Sequence, residues 1–361
     1  MIKRLAALLL LLLLAASAAG CGHPLIPESA LAPSRAMAVV PTSDRAAIGA
    51  DGPVLGVNLY ALGNYPRARV ETDGERMLGY IRGVLHAGAV DIVWNFYAPS
   101  AHSDVVDATS RTLSAANVAI LTGIAQRDHL LVEYRPLIMI DGGNPWEGGI
   151  EPAHQARWFD SYYRRELPYL RVAQRYGISE FVAATEMKAL NASSHWPAFF
   201  ARIAAIYHGV ISYAAHQADY FPPGTQLLPV SYPGVDMYRS LGLPPSASPA
   251  QVTKAYESFF RDLPASLLRR TAIDETGIAA RAGAYAKPSY LDIPGSLDEA
   301  VQANWYVAAC RTVKRYDMRA VFFWKADLTD YPVTHPSAAL STFEGRAGAR
   351  AIRECASLLS D

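Results

Sequence analysis

Several common chemistries are missing from this 361-residue chain. There is no charge excess: 33 Lys plus Arg against 33 Asp plus Glu leave a formal net charge of zero. A nucleic-acid binder would show a basic surplus, so that class is excluded. The nine histidines nowhere fall in the H-x-x-x-H or H-x-H spacing that aims two imidazoles at one metal. No metal or other cofactor is therefore expected. No Gly-x-Ser-x-Gly elbow and no phosphate-cradling glycine loop appears. Cysteine is scarce, with only Cys21, Cys310 and Cys355. What the chain does have is apolar mass, 51% hydrophobic with 20 Tyr and 6 Trp. That is enough for a large core and for flat faces against a neutral ligand such as a sugar.

The beginning of the chain reads as an address. Lys3 and Arg4 precede an apolar run from Leu5 to Ala16, too short to span a bilayer as a stop-transfer helix. Ala18-Ala19-Gly20-Cys21 follows and resembles a bacterial lipoprotein signal, which implies cleavage before Cys21 and lipidation of its thiol. The same resemblance, with Gly22 rather than Asp after the cysteine, implies outer-membrane sorting. The expectation is an exported lipoprotein at the outer membrane or periplasmic face, held through a lipid on Cys21. Residues 21–50, rich in Pro, Ala and Ser, read as a flexible tether. In an oxidising compartment Cys310 and Cys355 are either a disulfide or two buried thiols, and spacing does not decide between them.

From residue 51 onward the chain alternates. Apolar runs at Val54–Tyr60, Val90–Tyr97 and Leu131–Ile140 read as buried parallel strands. Helical patterns separate them. Thr72 and Glu75 read as a capping box ahead of an apolar stripe of Met77, Ile81, Val84 and Leu85, with Gly88 as the stop. Ser114 to His129 is the second helix, and Gln155 to Tyr176, closed by Gly177, is the third. It leads into Phe181–Glu186. Trp196, Phe199, Phe200, Ile203 and Tyr207 recur at helical spacing before a fifth strand, Val210–Ala215. The sixth strand is read as Val235–Tyr238, with Leu227–Val230 as the competitor. Ser248, Pro249 and Gln251 open another helix, and Thr271–Glu275 is the seventh strand. Ser296 and Glu299 read as a capping box before the helix to Tyr316. Ala320–Ala326 is the eighth strand, and residues 345–359 form a closing helix. Eight βα units in one stretch predict a single α/β domain, residues 51–361, folded as a (β/α)₈ barrel, and a monomer. An open doubly wound sheet would want a glycine-rich loop after the first strand, and Tyr60-Ala61-Leu62-Gly63-Asn64 does not supply one.

Two of these strands stop at a carboxylate, Glu186 and Glu275. In a parallel barrel both emerge on the C-terminal rim, where active sites sit. Two carboxyls about 5–5.5 Å apart cleave a glycosidic bond with retention, one donating a proton and the other attacking the anomeric carbon. Glu186 reads as the acid/base and Glu275 as the nucleophile. Tyr238, at the end of the sixth strand, is placed to hydrogen-bond Glu275. Trp324, Trp94, Asn95 and Trp146 are candidate walls for sugar units. Arg135 is a candidate for sugar hydroxyls or for a charge-assisted carboxylate pair. Asp141 and Asp327 read as rim or structural carboxylates. The twenty residues from Gly277 to Ser296 are long for a barrel loop.

The segments Ala184-Thr185-Glu186, Asp274-Glu275-Thr276-Gly277, Tyr134-Arg135-Pro136 with Asp141 to Gly149, and Ser212-Tyr213-Ala214-Ala215 carry a resemblance. From about Gly52 to Asp327 the chain resembles glycoside hydrolase family 113, in the clan of (β/α)₈ retaining glycosidases. The resemblance implies acid/base Glu186 after strand four, nucleophile Glu275 after strand seven, and endo-β-1,4-mannanase-like activity. Two positions depart from the pattern. Leu137 replaces a His after Arg135-Pro136, and His216 stands where an amide is expected. Both lie near the implied sugar subsites. Three functions follow as expectations: a retaining β-glycosidase acting within a β-linked polysaccharide, a catalytically inactive barrel that binds polysaccharide, or a transglycosylase of the same clan.

Overall fold

The structure, a computed structural model, describes residues 47–141, 146–222, 225–289, 293–330 and 342–360. The export segment, Cys21 and the tether up to residue 46 lie outside them.

The expected alternation closes on itself. Strands β1 (Val54–Ala61), β2 (Ala89–Ala98), β3 (Leu131–Ile140), β4 (Glu180–Thr185), β5 (Val210–His216), β6 (Tyr232–Asp236), β7 (Ala272–Thr276) and β8 (Ala320–Asp327) form one closed barrel in sequence order. Every pair is parallel, including β8 with β1. Around it run α1 (Arg67–Gly83), α2 (Ala115–Arg127), α3 (Gln155–Tyr176), α4 (Trp196–Ala204), α5 (Gln217–Tyr220), α6 (Pro249–Ser258), α7 (Ala265–Leu268), α8 (Glu299–Tyr316) and α9 (Ala347–Ser360). This is a single (β/α)₈ barrel.

Helix ends show where local signals decided and where they did not. Ser248 caps α6 as read: its hydroxyl accepts from the Gln251 backbone N–H at 3.3 Å, and the Gln251 side-chain Oε1 accepts from the Ser248 backbone N–H at 2.8 Å. Gly177 closes α3 in the left-handed conformation. Thr72 is no cap. Helix α1 begins more than a turn earlier, after Pro66, and the Thr72 hydroxyl donates back to the Ala68 carbonyl. The helix also ends at Gly83, before the expected stop, leaving Val84 half exposed while Met77, Ile81 and Leu85 are buried. Helix α8 is capped by Asp298, not Ser296. Strand β6 starts at Tyr232 and ends at Asp236, so it overlaps the chosen stretch but leaves Tyr238 beyond it; Leu227–Val230 is not a strand.

Strand pleating sends alternate residues inward. The inward set is apolar at the base, where Ala89, Ala272, Ala320 and Phe322 pack with Ile48. Packed structure thus begins by Ile48, inside the stretch expected to be tether. The middle of the barrel is polar. Asp91, Glu133, Glu180 and Asp274 face Arg135 and Arg319, all buried. Gly234 makes room there, because a Cβ at that position would sit 1.6 Å from the Asp274 carboxylate. At the mouth, Tyr60, Val93, Leu137 and Trp324 close over the polar layer. Outward residues form the main core with the helices. Cys310 of α8 and Cys355 of α9 are joined by a disulfide, their Cα atoms 5.7 Å apart, which resolves the alternative left open by the spacing.

Candidate active site

Both expected carboxylates stand at the mouth of the barrel, partly exposed. Glu186 follows the last residue of β4 with φ of 48°, a left-handed conformation that side-chain-bearing residues rarely adopt. Its N–H donates to the Ala214 carbonyl at 2.8 Å, and its carbonyl accepts from Lys188 at 2.6 Å. Such strain, at a cost of about 1–3 kcal/mol, marks places where position matters more than local comfort. Among the described residues the Glu186 carboxylate receives one donor, the Trp146 indole N–H at 2.5 Å on Oε2. Burial pushes its proton affinity well up, and the charges of Asp236, Glu147 and Glu275 push it further.

Glu275 lies within β7 and is held differently. The Tyr238 hydroxyl donates to Oε1 at 2.5 Å, and Arg135 Nη1 stands 3.6 Å from Oε2. Burial raises Glu275 too, but Arg135 and Tyr238 favour its charged form. Among the described residues Glu186 has no such cation. When the pair shares one proton, the proton belongs on Glu186 and the charge on Glu275.

Arg135 lies beneath the pair and is wholly buried. It donates from Nε to Asp91 at 2.8 Å, from Nη1 to Asp236 at 3.1 Å and from Nη2 to the Asp274 carbonyl at 2.8 Å. Asn58 braces the same Asp91 at 2.8 Å. Of the two alternatives read for Arg135, the carboxylate pair is what the structure contains. It has no surface for sugar hydroxyls, so the expectation that it binds them is corrected: it positions Glu275 from below. Burial outweighs even this guanidinium at Asp91 and Asp236, each pushed up to about 6.

The remaining candidates divide by strand parity. Asn95 points inward and donates to the Tyr60 hydroxyl at 2.6 Å, on the floor of the mouth. Its neighbour Trp94 must point the other way. It is fully buried between barrel and helices, stacked on Tyr169 with ring centroids 4.4 Å apart. Trp94 is therefore core and cannot wall a sugar subsite. Trp324 is at the mouth, 5.3 Å from the Tyr60 ring and partly exposed. His216 caps α5, accepting from the Ala218 N–H at 3.1 Å, and its ring lies 5.1 Å from Trp146. Burial, then the charge of Lys188, pulls His216 down to about 4, so it is neutral at ordinary pH. Asp141 pairs with Arg111 at 2.6 Å and Asp327 with Lys325 at 2.5 Å, both as rim carboxylates.

Two residues of the site escaped sequence reading. Asp236, the last residue of β6, is the strongest charge acting on both glutamates. Its signal was available, because it occupies the strand-end position that singled out Glu186 and Glu275. Glu147 follows Trp146 and is buried, with its carboxyl pushed up to about 8 by that burial; nothing in the local pattern distinguishes it from a loop glutamate. Among the described residues no cluster of His, Cys, Asp or Glu is arranged to hold a metal ion.

An eight-stranded parallel barrel with two carboxyl groups at the ends of strands four and seven is the arrangement of a barrel glycosidase. The particular family is given by sequence: the model of Glycoside Hydrolase Family 113 matches residues 86–341, more than half of the chain, and the chain belongs to that family. It is a glycoside hydrolase. None of the curated proteins matches it. Solved structures share the fold. A GH113 β-1,4-mannanase complex is 17% identical, covering 85% of this chain and 99% of its own, with a TM-score of 0.68. The GH113 β-mannanase of Alicyclobacillus acidocaldarius, in complex with ManMIm, is 18% identical over 85% and 98%, with the same TM-score. The GH5_18 protein of Streptomyces cattleya, in complex with GlcNAc, is 14% identical over 86% and 80%, at 0.54.

Proposed function

We propose that this protein is a retaining β-glycosidase acting within a β-1,4-linked, mannan-like polysaccharide, with Glu275 as nucleophile and Glu186 as acid/base. The observation that carries the reading is the unequal support of the pair. Tyr238 and Arg135 hold Glu275 charged, and Glu186, with one indole donor and three carboxylates in electrostatic reach, keeps the proton. In the first step Glu275 attacks the anomeric carbon while Glu186 gives its proton to the departing glycosidic oxygen. In the second, ionised Glu186 takes a proton from water, whose oxygen displaces Glu275 and restores the starting configuration. The mannan-like substrate rests on the family and on the two β-mannanases that share the fold.

The N-terminal pattern supports export, lipidation at Cys21 and a tether reaching toward residue 50, which would hold the barrel at the cell envelope. Proton NMR of the first products of β-1,4-manno-oligosaccharide cleavage tests the mechanism. The β-anomer should appear first, and its absence in favour of the α-anomer would refute retention. The lengths of those products separate hydrolysis from transfer to a second sugar, and no cleavage across a broad glycan panel would favour a binding barrel.

A further inference from the structure

Beside the catalytic pair, beyond the ends of β5 and β6, lies an open hollow of about 460 Å³, within the range of pockets that bury small ligands. Two of its walls are residues already tied to the site. Tyr238 donates to Glu275, and His216 packs against Trp146, the donor to Glu186. The hollow therefore shares two of its walls, Tyr238 and His216, with the surroundings of the catalytic pair.

Its distinctive group is Arg239. The guanidinium is fixed over two rings, 4.7 Å from the centroid of Phe259 and 5.2 Å from that of Phe221. It is partly buried, and among the described residues no carboxylate pairs with it. Burial alone acts on its titration and opposes its charge. Exposed Lys188 adds positive potential beyond His216, where its charge is felt by both His216 and Asp219. Cation–π stacking offsets part of the desolvation, which is the purely structural account of Arg239. Among the described residues it leaves unused the hydrogen-bonding edge of a pre-positioned planar fork, a shape that matches a carboxylate.

Building on the glycosidase reading, we propose that this hollow is a subsite for a carboxylate-bearing sugar unit, a uronate in the substrate chain next to the cleavage point, with Arg239 as its anion ligand. The guanidinium takes the sugar's carboxylate, and the partly exposed His216 and Phe259 border its ring. Neutral units still pass, without that contact.

The test uses a β-linked oligosaccharide carrying one uronate and the same oligosaccharide with its carboxyl reduced to the alcohol. Binding is measured calorimetrically on the Glu275→Gln variant, so that cleavage does not intervene. The acid form should bind about ten- to a hundredfold more tightly than the reduced form. Adding Arg239→Gln should abolish that ratio, Arg239→Lys should keep part of it, and the affinity for neutral manno-oligosaccharide should stay within about threefold. Equal binding of the two forms, or equal losses on both in Arg239→Gln, would overturn the subsite. Because the readout is binding, it stands apart from the proposed cleavage: a chain that cleaves neutral mannan yet ignores the uronate refutes only the subsite, and one that selects the uronate without cleaving anything refutes only the mechanism. Thermal melting of Arg239→Gln close to wild type keeps a folding loss from being read as a binding loss.

Discussion

The ends of β4 and β7 hold the same side chain in two settings. Glu186 has left its strand, sits at positive φ, and keeps one neutral donor with carboxylates around it. Glu275 stays in register within β7 and has a phenol on one oxygen and a guanidinium near the other. The difference teaches that a carboxyl's role is set by which form its neighbours stabilise, not by residue type. One barrel floor serves both, because Asp236 presses on each glutamate while Arg135 reaches only Glu275.

The largest effect that would break this comparison comes from removing the two groups in turn. Glu275→Gln should lower kcat/KM on manno-oligosaccharide by about 10⁴-fold or more, a barrier increase of about 5 kcal/mol. Glu186→Gln should cost about 10²–10⁴-fold on the same substrate. On an aryl glycoside whose phenol leaves without help, the Glu186→Gln loss in the first step should shrink sharply while the Glu275→Gln loss should not. Equal behaviour of the two variants on both substrates would mean that the roles are not divided as described.

Next in size is the floor. Arg135→Met leaves Asp91, Asp236 and Glu275 without their shared cation in a buried site, and stability should fall by about 3–5 kcal/mol. The midpoint of urea unfolding checks it. The disulfide offers a control far from the mouth. Reducing Cys310–Cys355 should cost about 2–4 kcal/mol of stability and leave the pH profile of activity unmoved.

The smallest effects sharpen the comparison most finely. The proposed mechanism requires ionised Glu275 and protonated Glu186, so it predicts a bell-shaped profile of kcat/KM against pH, with Glu275 on the acid limb and Glu186 on the alkaline limb. A donated hydrogen bond favours the charged carboxylate, so deleting it raises that group's pKa. Tyr238→Phe should move the acid limb to higher pH by about one unit, the worth of one bond to a charged group. Trp146→Phe should move the alkaline limb to higher pH by a similar or smaller amount. Movement of the opposite limb in either variant would reassign the pair.

The barrel and the two glutamates were legible because apolar runs alternate with helical periods and both runs end in Glu. Tyr238 was legible for the same reason, even with β6 misplaced by a few residues, since only its proximity to the strand end mattered. The roles of Trp94 and Arg135 were less legible. Both Trp94 and Asn95 read as subsite walls from the sequence, although adjacent strand residues face opposite sides and only one of them can reach the mouth. Arg135 has the right parity but lies one layer too deep, and depth depends on barrel stagger, which no single strand encodes. Thr72 and Glu75 match a capping box in spacing, yet helix α1 started earlier because Pro66 already supplies a first-turn boundary. Asp236 was passed over although it shares the position of the chosen glutamates, since its importance lies in acting on two groups brought together only by closure of the barrel.

The unequal pair is tested most directly by trapping. A 2-deoxy-2-fluoro β-glycoside with a good leaving group slows both steps, and a faster departure in the first lets the glycosyl–enzyme accumulate for peptide mass spectrometry. The adduct should sit on the peptide containing Glu275, and Glu186→Gln should still form it. An adduct on Glu186, or rapid turnover to the inverted product with none trapped, would contradict the assignment.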